Sequence, residues 1–234
     1  MGVLIAFVLG FTPGLLWLAF FLKEDVHPEP RKMIAKVFIM GAISAFAALF
    51  IELILNNPLK DLIISIPGVI SDNLSAFIFF AIVEEIIKFY FVWRIIHNSR
   101  YFDEPIDAMI YMVTGALGFA TAENFFLVIS TSGGDGIFTV ILMRFIGATL
   151  LHALSSAVVG YMWAWGMKKR AHLFYVGWGL VLASITHAVF NILVFKFNSF
   201  LIYPTVFLGV VGFIVLYDFE KLRDMEEIKI DSHQ

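Results

Sequence analysis

Cysteine is absent from the 234-residue chain. Its absence excludes a disulfide framework, a thiolate nucleophile and any zinc site that uses cysteine ligands. Charged residues are scarce as well, at 15% of the chain compared with about 25% in soluble domains. Lys and Arg form no basic patch, so nothing in the sequence indicates nucleic-acid binding.

Apolar residues dominate instead, at 60% of the chain, with 26 Phe. A helix that spans a bilayer needs about 20 apolar residues. Seven apolar runs come close to or exceed this length: Val3–Leu22, Met33–Leu55, Leu74–Ile96, Ile106–Ile129, Ile137–Met167, Phe174–Phe195 and Phe200–Tyr217. We therefore predict an all-α, polytopic membrane bundle of about seven transmembrane helices. Residues 1–217 are predicted to form one integral-membrane domain, and residues 218–234 a charged cytoplasmic tail.

Loop charges predict the orientation of this bundle. The first run lacks a basic segment before it, so we expect an anchor rather than a cleaved signal peptide. Most of the 16 Lys and Arg residues flank alternate loops on one side: Lys23, Arg31, Lys32, Lys36, Arg94, Arg100, Lys168, Lys169, Arg170, Lys221, Arg223 and Lys229. Because basic loops stay in the cytoplasm, the N-terminus is predicted to lie outside and the C-terminus inside.

The third run carries Glu84, Glu85 and Lys88 near its middle. Charges at such depth cost from roughly 2.5 to over 10 kcal/mol each, so they indicate a function by default. Glu84 lies four residues before Lys88, the favourable order for an ion pair, while Glu85 lies three before it. Lys88 neutralises only one carboxylate, so the other must be protonated, bind a metal or meet another polar group.

Three further runs carry polar residues at similar depth: Glu123 and Asn124 in the fourth, Arg144, His152 and Ser156 in the fifth, and His187 and Asn191 in the sixth. We expect these residues to share one cavity that extends from mid-membrane towards the outer side. The remaining three runs carry almost no charged residues. Gly115 and Gly118 in the fourth run predict a face for close helix packing.

Peptide hydrolysis suits such a set of residues, because it needs a base for water, an acid for the leaving amine and donors to the oxyanion. Either Glu84 or Glu85 is suited to take the proton from water. His187 and Asn191 lie one helical turn apart and are predicted to donate to the oxyanion, while His152 orients the water.

Supporting roles are predicted for the other polar residues. Lys88 neutralises a carboxylate, and Arg144 pairs with Glu123. Asn124 is expected to bond between helices, and Ser156 to bond back to its own helix rather than to act as a nucleophile.

Several alternatives remain open from the residues alone. The chain contains no His-Glu-x-x-His and no Gly-x-Ser-x-Gly sequence, which disfavours the common zinc and serine protease chemistries. No required cofactor is the favoured expectation. A divalent metal such as zinc is the alternative, with ligands from Glu84, Glu85, Glu123, His152 and His187. A different class, a non-catalytic scaffold or binding protein or an ion or proton carrier, would use the same buried charges.

Several motifs on successive runs resemble those of the PrsW family of intramembrane proteases: Glu84-Glu85-x-x-Lys88, Phe119-x-x-x-Glu123-Asn124, His152-x-x-x-Ser156, His187-x-x-x-Asn191, the loop Lys23–Pro30 and Asp107-Ala108-x-x-Tyr111. The wider superfamily includes CAAX prenyl endopeptidases, bacteriocin-immunity proteins and a scaffold subunit that is not a protease. The second motif ends in Glu123, where the prenyl endopeptidases have His, and this difference favours the PrsW branch.

The resemblance implies an intramembrane endopeptidase in a prokaryotic cytoplasmic (inner) membrane, of a family that has been classed both as glutamic and as metal-dependent. From the buried residues we expect the glutamic type, with the metallopeptidase as the alternative. The resemblance further implies a single-span substrate similar to an anti-sigma factor, cut near the outer side of the bilayer as the first step of regulated intramembrane proteolysis. It also implies that Glu84 is the base. The lipid bilayer is a further expected partner, and nucleic acid is not.

Overall fold

The computed structural model describes the backbone of residues 3–25, 27–64, 72–130, 137–197 and 200–231, and the side chains of residues 8–25, 27–55, 74–130, 138–197 and 200–225. Within these ranges the chain folds into helices and contains no strand: α1 (Val3–Phe21), α2 (Arg31–Ile64), α3 (Asp72–Ile96), α4 (Pro105–Ser130), α5 (Ile137–Ile146), α6 (Ala148–Lys169), α7 (His172–Lys196) and α8 (Ile202–Asp231). The prediction of an all-α membrane bundle is confirmed.

Five stretches are long and apolar enough to cross a membrane, among the residues that the structure describes: Arg31–Leu55, Pro105–Ser130, Phe138–Lys169, His172–Lys196 and Ile202–Met225. Val8–Phe21 in α1 is a shorter apolar helix. The 25 residues of α3 are long enough to span, but its middle carries Glu84, Glu85 and Lys88. Orientation across the membrane remains a prediction from the loop charges.

The fifth predicted run corresponds to the candidate span Phe138–Lys169, which a break at Gly147 divides into two helices. Gly147 has φ −92° and ψ −97°, which is not helical, and separates α5 from α6. A Cβ at this residue would lie 2.9 Å from the carbonyl oxygen of Met143, so a larger residue would force the backbone to shift. Arg144 therefore lies at the end of a short helix, three residues before the break.

The centre of the bundle is α4, which packs against α1, α2 and α6 and is buried along most of its length. Glycines allow this close approach. A Cβ on Gly118 would overlap the backbone of Phe38 in α2, and a Cβ on Gly41 would overlap the backbone of Gly115. The small-residue face predicted for the fourth run therefore lies against α2. Because α4 also packs against α3 and α6, its residue Glu123 lies close to the polar residues of those two helices.

Two connections between the apolar runs differ from or fall outside what is described. The sequence between the second and third runs, residues 56–73, reads as a long outer loop with a short apolar piece that is interfacial or re-entrant, but α2 continues through its first part to Ile64. The rest of this connection at 65–71 and the glycine-rich sequence at 131–136, which reads as an outer turn, lie outside the described residues. Beyond residue 218, the predicted tail continues α8 as helix to Asp231.

Candidate active site

The middle of α3 presents Glu84 and Glu85 to different surroundings, because adjacent helical residues point about 100° apart. Glu85 is fully buried and surrounded by donors. Its Oε1 lies 2.6 Å from Lys88 Nζ, 2.9 Å from Ser155 Oγ and 2.9 Å from His187 Nδ1. Its Oε2 accepts a hydrogen bond from Ser156 Oγ at 3.3 Å. Glu85 is thus a carboxylate held in place by four donors.

Lys88 has no exposed surface and connects α3 to α6. Besides Glu85, its Nζ lies 2.9 Å from His152 Nδ1 and 4.7 Å from the centre of the Phe119 ring. Its distance to Glu84 Oε2 is 3.9 Å, too long for a hydrogen bond. Lys88 is therefore closer to Glu85, three residues before it, than to Glu84, four residues before it. The spacing in the sequence had favoured the pair with Glu84, because Glu four residues before Lys is the more stabilising arrangement in a helix.

His152 in α6 lies between Lys88 and the carboxylate of Glu123, which is 2.9 Å from its Nε2. Glu123 in turn accepts a hydrogen bond from Arg144 at 2.9 Å, as the sequence predicts. Arg144 also donates to Asn124 Oδ1 at 2.5 Å, and Asn124 donates to Thr149 Oγ1 at 3.1 Å. This chain of bonds joins α4, α5 and α6 at the level of the two histidines.

The tautomers of His152 and His187 follow from their carboxylate partners. A carboxylate only accepts, so the nitrogen that faces it carries the proton. His152 therefore donates from Nε2 to Glu123, and His187 donates from Nδ1 to Glu85. In the neutral ring the other nitrogen is left with a lone pair. The two rings are 5.0 Å apart between centres and nearly perpendicular.

Glu84 differs from Glu85 because its Oε2 is buried and has no hydrogen-bond partner among the described residues. This oxygen lies 3.9 Å from His152 Nδ1 and 3.8 Å from His187 Nε2, the two nitrogens that carry lone pairs. Polar atoms separated by such distances are often bridged by a water or an ion. Because Lys88 already donates to His152 Nδ1, one water between Glu84 Oε2 and His187 Nε2 would give both of these atoms a hydrogen-bond partner.

A cavity of about 340 Å³ leads to Glu84. Its walls carry Glu84, Glu123 and Arg144, with Phe119 and Phe126 as aromatic surface. Glu52 of α2 also lines the cavity, as does Ser130, the last residue of α4, which lies at the helix end that the loop charges place at the outer side of the membrane. At about 30 Å³ for each water, this volume is enough for roughly ten waters. Water thus has a route to the unpaired carboxylate.

The same three side chains meet the requirements of a metal site in type and position. Ligand atoms of Glu84, His152 and His187 all lie within 4.8 Å of one another. One carboxylate and two imidazoles form a common catalytic zinc set, and bound histidines usually donate their second nitrogen to a carboxylate. One contact opposes a cation here, because Lys88 Nζ lies only 2.9 Å from His152 Nδ1. Of the five ligands considered in the sequence, Glu85 and Glu123 serve as partners of the histidines instead.

The structure brings together nearly all of the residues singled out in the sequence. Asn191 lies one turn beyond His187 and is partly buried, and its side chain forms no hydrogen bond among the described residues. The prediction for Ser156 is wrong, because it donates to Glu85, while its neighbour Ser155 bonds both to Glu85 and back to its own helix.

One acidic residue of the cavity was missed in the sequence. Glu52 lies in α2, which the sequence analysis treated as nearly free of charge, and it lines the same cavity as Glu84. The signal was a lone Glu three residues before the end of the second apolar run. This signal was weak because a Glu near the end of a membrane helix is equally expected at the membrane surface, in contact with water.

At the opposite end of the bundle, the loop before α2 docks on α4. Tyr111 donates to Glu29 at 2.5 Å, and Asp25 accepts hydrogen bonds from the backbone N–H groups of His27 and Glu29, both at 3.1 Å. Burial raises the pKa of Asp25 and that of Glu29 above their usual range. Two motifs far apart in sequence, the acidic loop and Asp107-Ala108-x-x-Tyr111, thus form one structural contact.

These features define a class of protein: a helical membrane protein with a water-accessible cluster of carboxylates and imidazoles inside the bundle. The profile of a family described as PrsW family intramembrane metalloprotease matches residues 29–218. The chain belongs to the PrsW family of intramembrane proteases, and it is a membrane-embedded peptidase by that membership.

Individual relatives agree with this assignment. The chain is 28% identical over 187 residues to Protease PrsW of Geobacillus kaustophilus, covering 78% of this chain and 76% of the relative. It is 27% identical over 219 residues to that of Oceanobacillus iheyensis, covering 92% and 94%. For that of Bacillus subtilis, the identity is 23% over 224 residues, covering 94% and 97%. No solved structure matches the chain.

Proposed function

We propose that this protein is an intramembrane endopeptidase that cuts a membrane-anchored protein near the outer side of the bilayer, with Glu84 as the base that activates water. The observation that carries this proposal is the buried, unpartnered Oε2 of Glu84 at the end of a cavity wide enough for water. Glu85 is a poorer choice for the base, because four donors already occupy its oxygens.

In this mechanism a water lies between Glu84 Oε2 and His187 Nε2, while Lys88 donates to His152 Nδ1. Glu84 removes a proton from the water as its oxygen attacks the peptide carbonyl carbon, and a tetrahedral oxyanion forms. The protonated Glu84 then delivers that proton to the leaving amine as the C–N bond breaks. One carboxyl thus serves as base and then as acid, a pattern that contributes about 10² to 10⁴-fold to the rate.

The oxyanion receives a hydrogen bond from the side-chain amide N–H of Asn191, while His187 Nε2 accepts a hydrogen bond from the attacking water. Glu85, 2.9 Å from Nδ1, accepts a hydrogen bond from that nitrogen and so keeps the lone pair on Nε2. Lys88 keeps Glu85 ionised, and Arg144 holds Glu123 against His152. Glu85 and Glu123 therefore each have a cationic partner, which limits the cost of placing these two carboxylates in the membrane.

The residues that would hold a divalent ion such as zinc are Glu84, His152 and His187. A metal there would supply Lewis-acid activation of the water. The donor set supports this second version, and the nearby Lys88 ammonium supports the version without metal. Removal of metal by a chelator separates them: retained activity in enzyme that contains no metal by elemental analysis supports the first, and loss that zinc restores supports the second.

For the substrate, we propose a single-span membrane protein of the anti-sigma factor type, cut as the first step of regulated intramembrane proteolysis. The cut is proposed near the outer side because the cavity extends to Ser130, at the end of the bundle opposite to the basic, cytoplasmic loops. A substrate of this type lies in the cytoplasmic membrane of a prokaryote.

The test is cleavage of a single-span reporter by the purified protein in liposomes, with the cut position read by mass spectrometry. We expect one cut near the outer surface, and loss of cleavage in Glu84→Gln, Glu85→Gln and His187→Ala. Glu220→Gln, an exposed carboxylate on α8, is the matched control and should cleave at the wild-type rate. No cleavage by the wild type, together with an ion flux that Glu85→Gln abolishes, would contradict the proposal and favour a carrier.

A further inference from the structure

Glu52 lies in the cavity wall but takes no part in the mechanism derived above. It belongs to α2, whereas the catalytic groups come from α3, α4, α6 and α7. Its Oε1 is buried and has no hydrogen-bond partner among the described residues, and its carboxylate forms no ion pair within those residues. A carboxylate oxygen in this state lacks the donor that a buried acceptor normally has.

The cations near the cavity are already engaged. Arg144 pairs with Glu123 at 2.9 Å and bonds to Asn124, while Lys88 pairs with Glu85 at 2.6 Å. Three carboxylates line the cavity against one guanidinium: Glu52, Glu84 and Glu123 against Arg144. The cavity therefore has an excess of negative groups, and the donor that Glu52 lacks must come from what enters it.

We propose that Glu52 is a specificity-determining residue that binds a basic side chain, Lys or Arg, close to the scissile bond of the substrate. This inference rests on the proposed protease function. An ammonium or guanidinium in the cavity would donate to the free Oε1 and offset the negative excess, whereas an acidic side chain would meet like charges. Electrostatic complementarity of this kind discriminates between substrates through attraction and repulsion together.

The position of Glu52 fits a role in binding rather than in the chemical step. It shares the cavity with Glu84 but lies in α2, a helix that supplies no group to the chemical step. A substrate residue held there would be a few positions from the carbonyl that Glu84 and the histidines surround. Glu52 would thus position the substrate without contact with the attacking water.

The experiment uses the liposome assay with three sets of single-span reporters that differ at one residue near the cut. Lys, Gln or Glu is placed in turn at each of several positions on either side of the scissile bond. For the wild type and for Glu220→Gln, we expect kcat/KM to be at least tenfold higher for Lys than for Gln at one position, with the difference mainly in KM, and lowest for Glu.

Two variants of Glu52 make the test decisive. In Glu52→Gln the ratio of Lys to Gln cleavage should fall towards one, and in Glu52→Lys the Glu reporter should become the better substrate. Equal cleavage of Lys and Gln reporters by the wild type at every position, or an unchanged ratio in Glu52→Gln, would overturn the inference and leave the protease function intact. If the wild type cleaves no reporter, the proposed function fails and this inference fails with it.

Discussion

Replacement of Lys88 by Met should destabilise the fold strongly, because it removes the ammonium that neutralises the fully buried carboxylate of Glu85. Lys88 Nζ contacts Glu85 at 2.6 Å and His152 at 2.9 Å, and neither Lys88 nor Glu85 has exposed surface. Loss of one partner from a buried ion pair costs about 3–5 kcal/mol, since the other charge is left uncompensated. The contact with the Phe119 ring adds about 0.5–2 kcal/mol.

The remaining donors to Glu85 reduce this cost in part. Ser155, Ser156 and His187 still face the carboxylate in Lys88→Met, so we expect a net loss near the lower end, about 3 kcal/mol. The double variant Glu85→Gln with Lys88→Met removes both charges. Its free energy of unfolding should be at least about 2 kcal/mol higher than that of Lys88→Met, because most of the loss in the single variant comes from the uncompensated charge of Glu85.

The assay is reversible unfolding in mixed micelles, followed by loss of helical circular dichroism as the denaturing detergent increases. Lys32→Met, at an exposed position in the first turn of α2, is the matched control and should change the free energy of unfolding by less than about 0.5 kcal/mol. If Lys88→Met stays within about 1 kcal/mol of the wild type, or if the double variant is less stable than the single one, the buried network does not hold the helices as we describe.

Three further outcomes follow from the packing and charges. Gly160→Leu should lower the free energy of unfolding by about 2 kcal/mol or more, because even a Cβ at this residue would lie 2.6 Å from the carbonyl oxygen of Ala108. In the same unfolding assay Gly177→Ala is the control and should stay within about 1 kcal/mol of wild type, because a Cβ there would have no atom within 4 Å. Arg144→Gln should slow reporter cleavage roughly tenfold, because Glu123 loses its guanidinium partner, yet change stability by less than about 1 kcal/mol since the pair is partly exposed. A cleavage rate equal to wild type in this variant would contradict the role of that pair. Placing the reporter cut site at the inner surface should abolish cleavage, as measured by mass spectrometry, and efficient cleavage there would contradict the outer placement.

The bundle and most of its polar residues were predictable from the sequence because membrane burial makes charge conspicuous. Glu84, Glu85, His152 and His187 stand out in apolar runs, and the cost of burial implies that they meet partners inside the protein. Helix periodicity places His187 and Asn191 on one face. Such arguments predict in which helix, and on which face of it, each polar residue lies, and the resemblance of the motifs predicts the family.

Partner choice was not predictable at the same level. The separation of Lys88 from Glu84 and Glu85 allows either pair, and side-chain packing against Ser155 and His187 decides for Glu85. The break at Gly147 depends on packing against neighbouring backbone, which a continuous apolar run does not reveal.

Glu52 illustrates a different limit. A single carboxylate near the end of an apolar helix is as common at a membrane surface as in a cavity, so its place beside Glu84 required the packing of α2 against α3 and α4. Residues at helix ends are therefore the ones for which a membrane sequence says least about function.

The most direct test of the account is the single-turnover rate constant of Glu84→Gln on a bound reporter, measured in protein whose unfolding free energy equals that of the wild type. Because the amide has the same shape but no basic oxygen for the water, we expect the rate constant to fall by about 10² to 10⁴-fold. A rate constant within threefold of the wild type would show that another group activates the water, and the central assignment would be wrong.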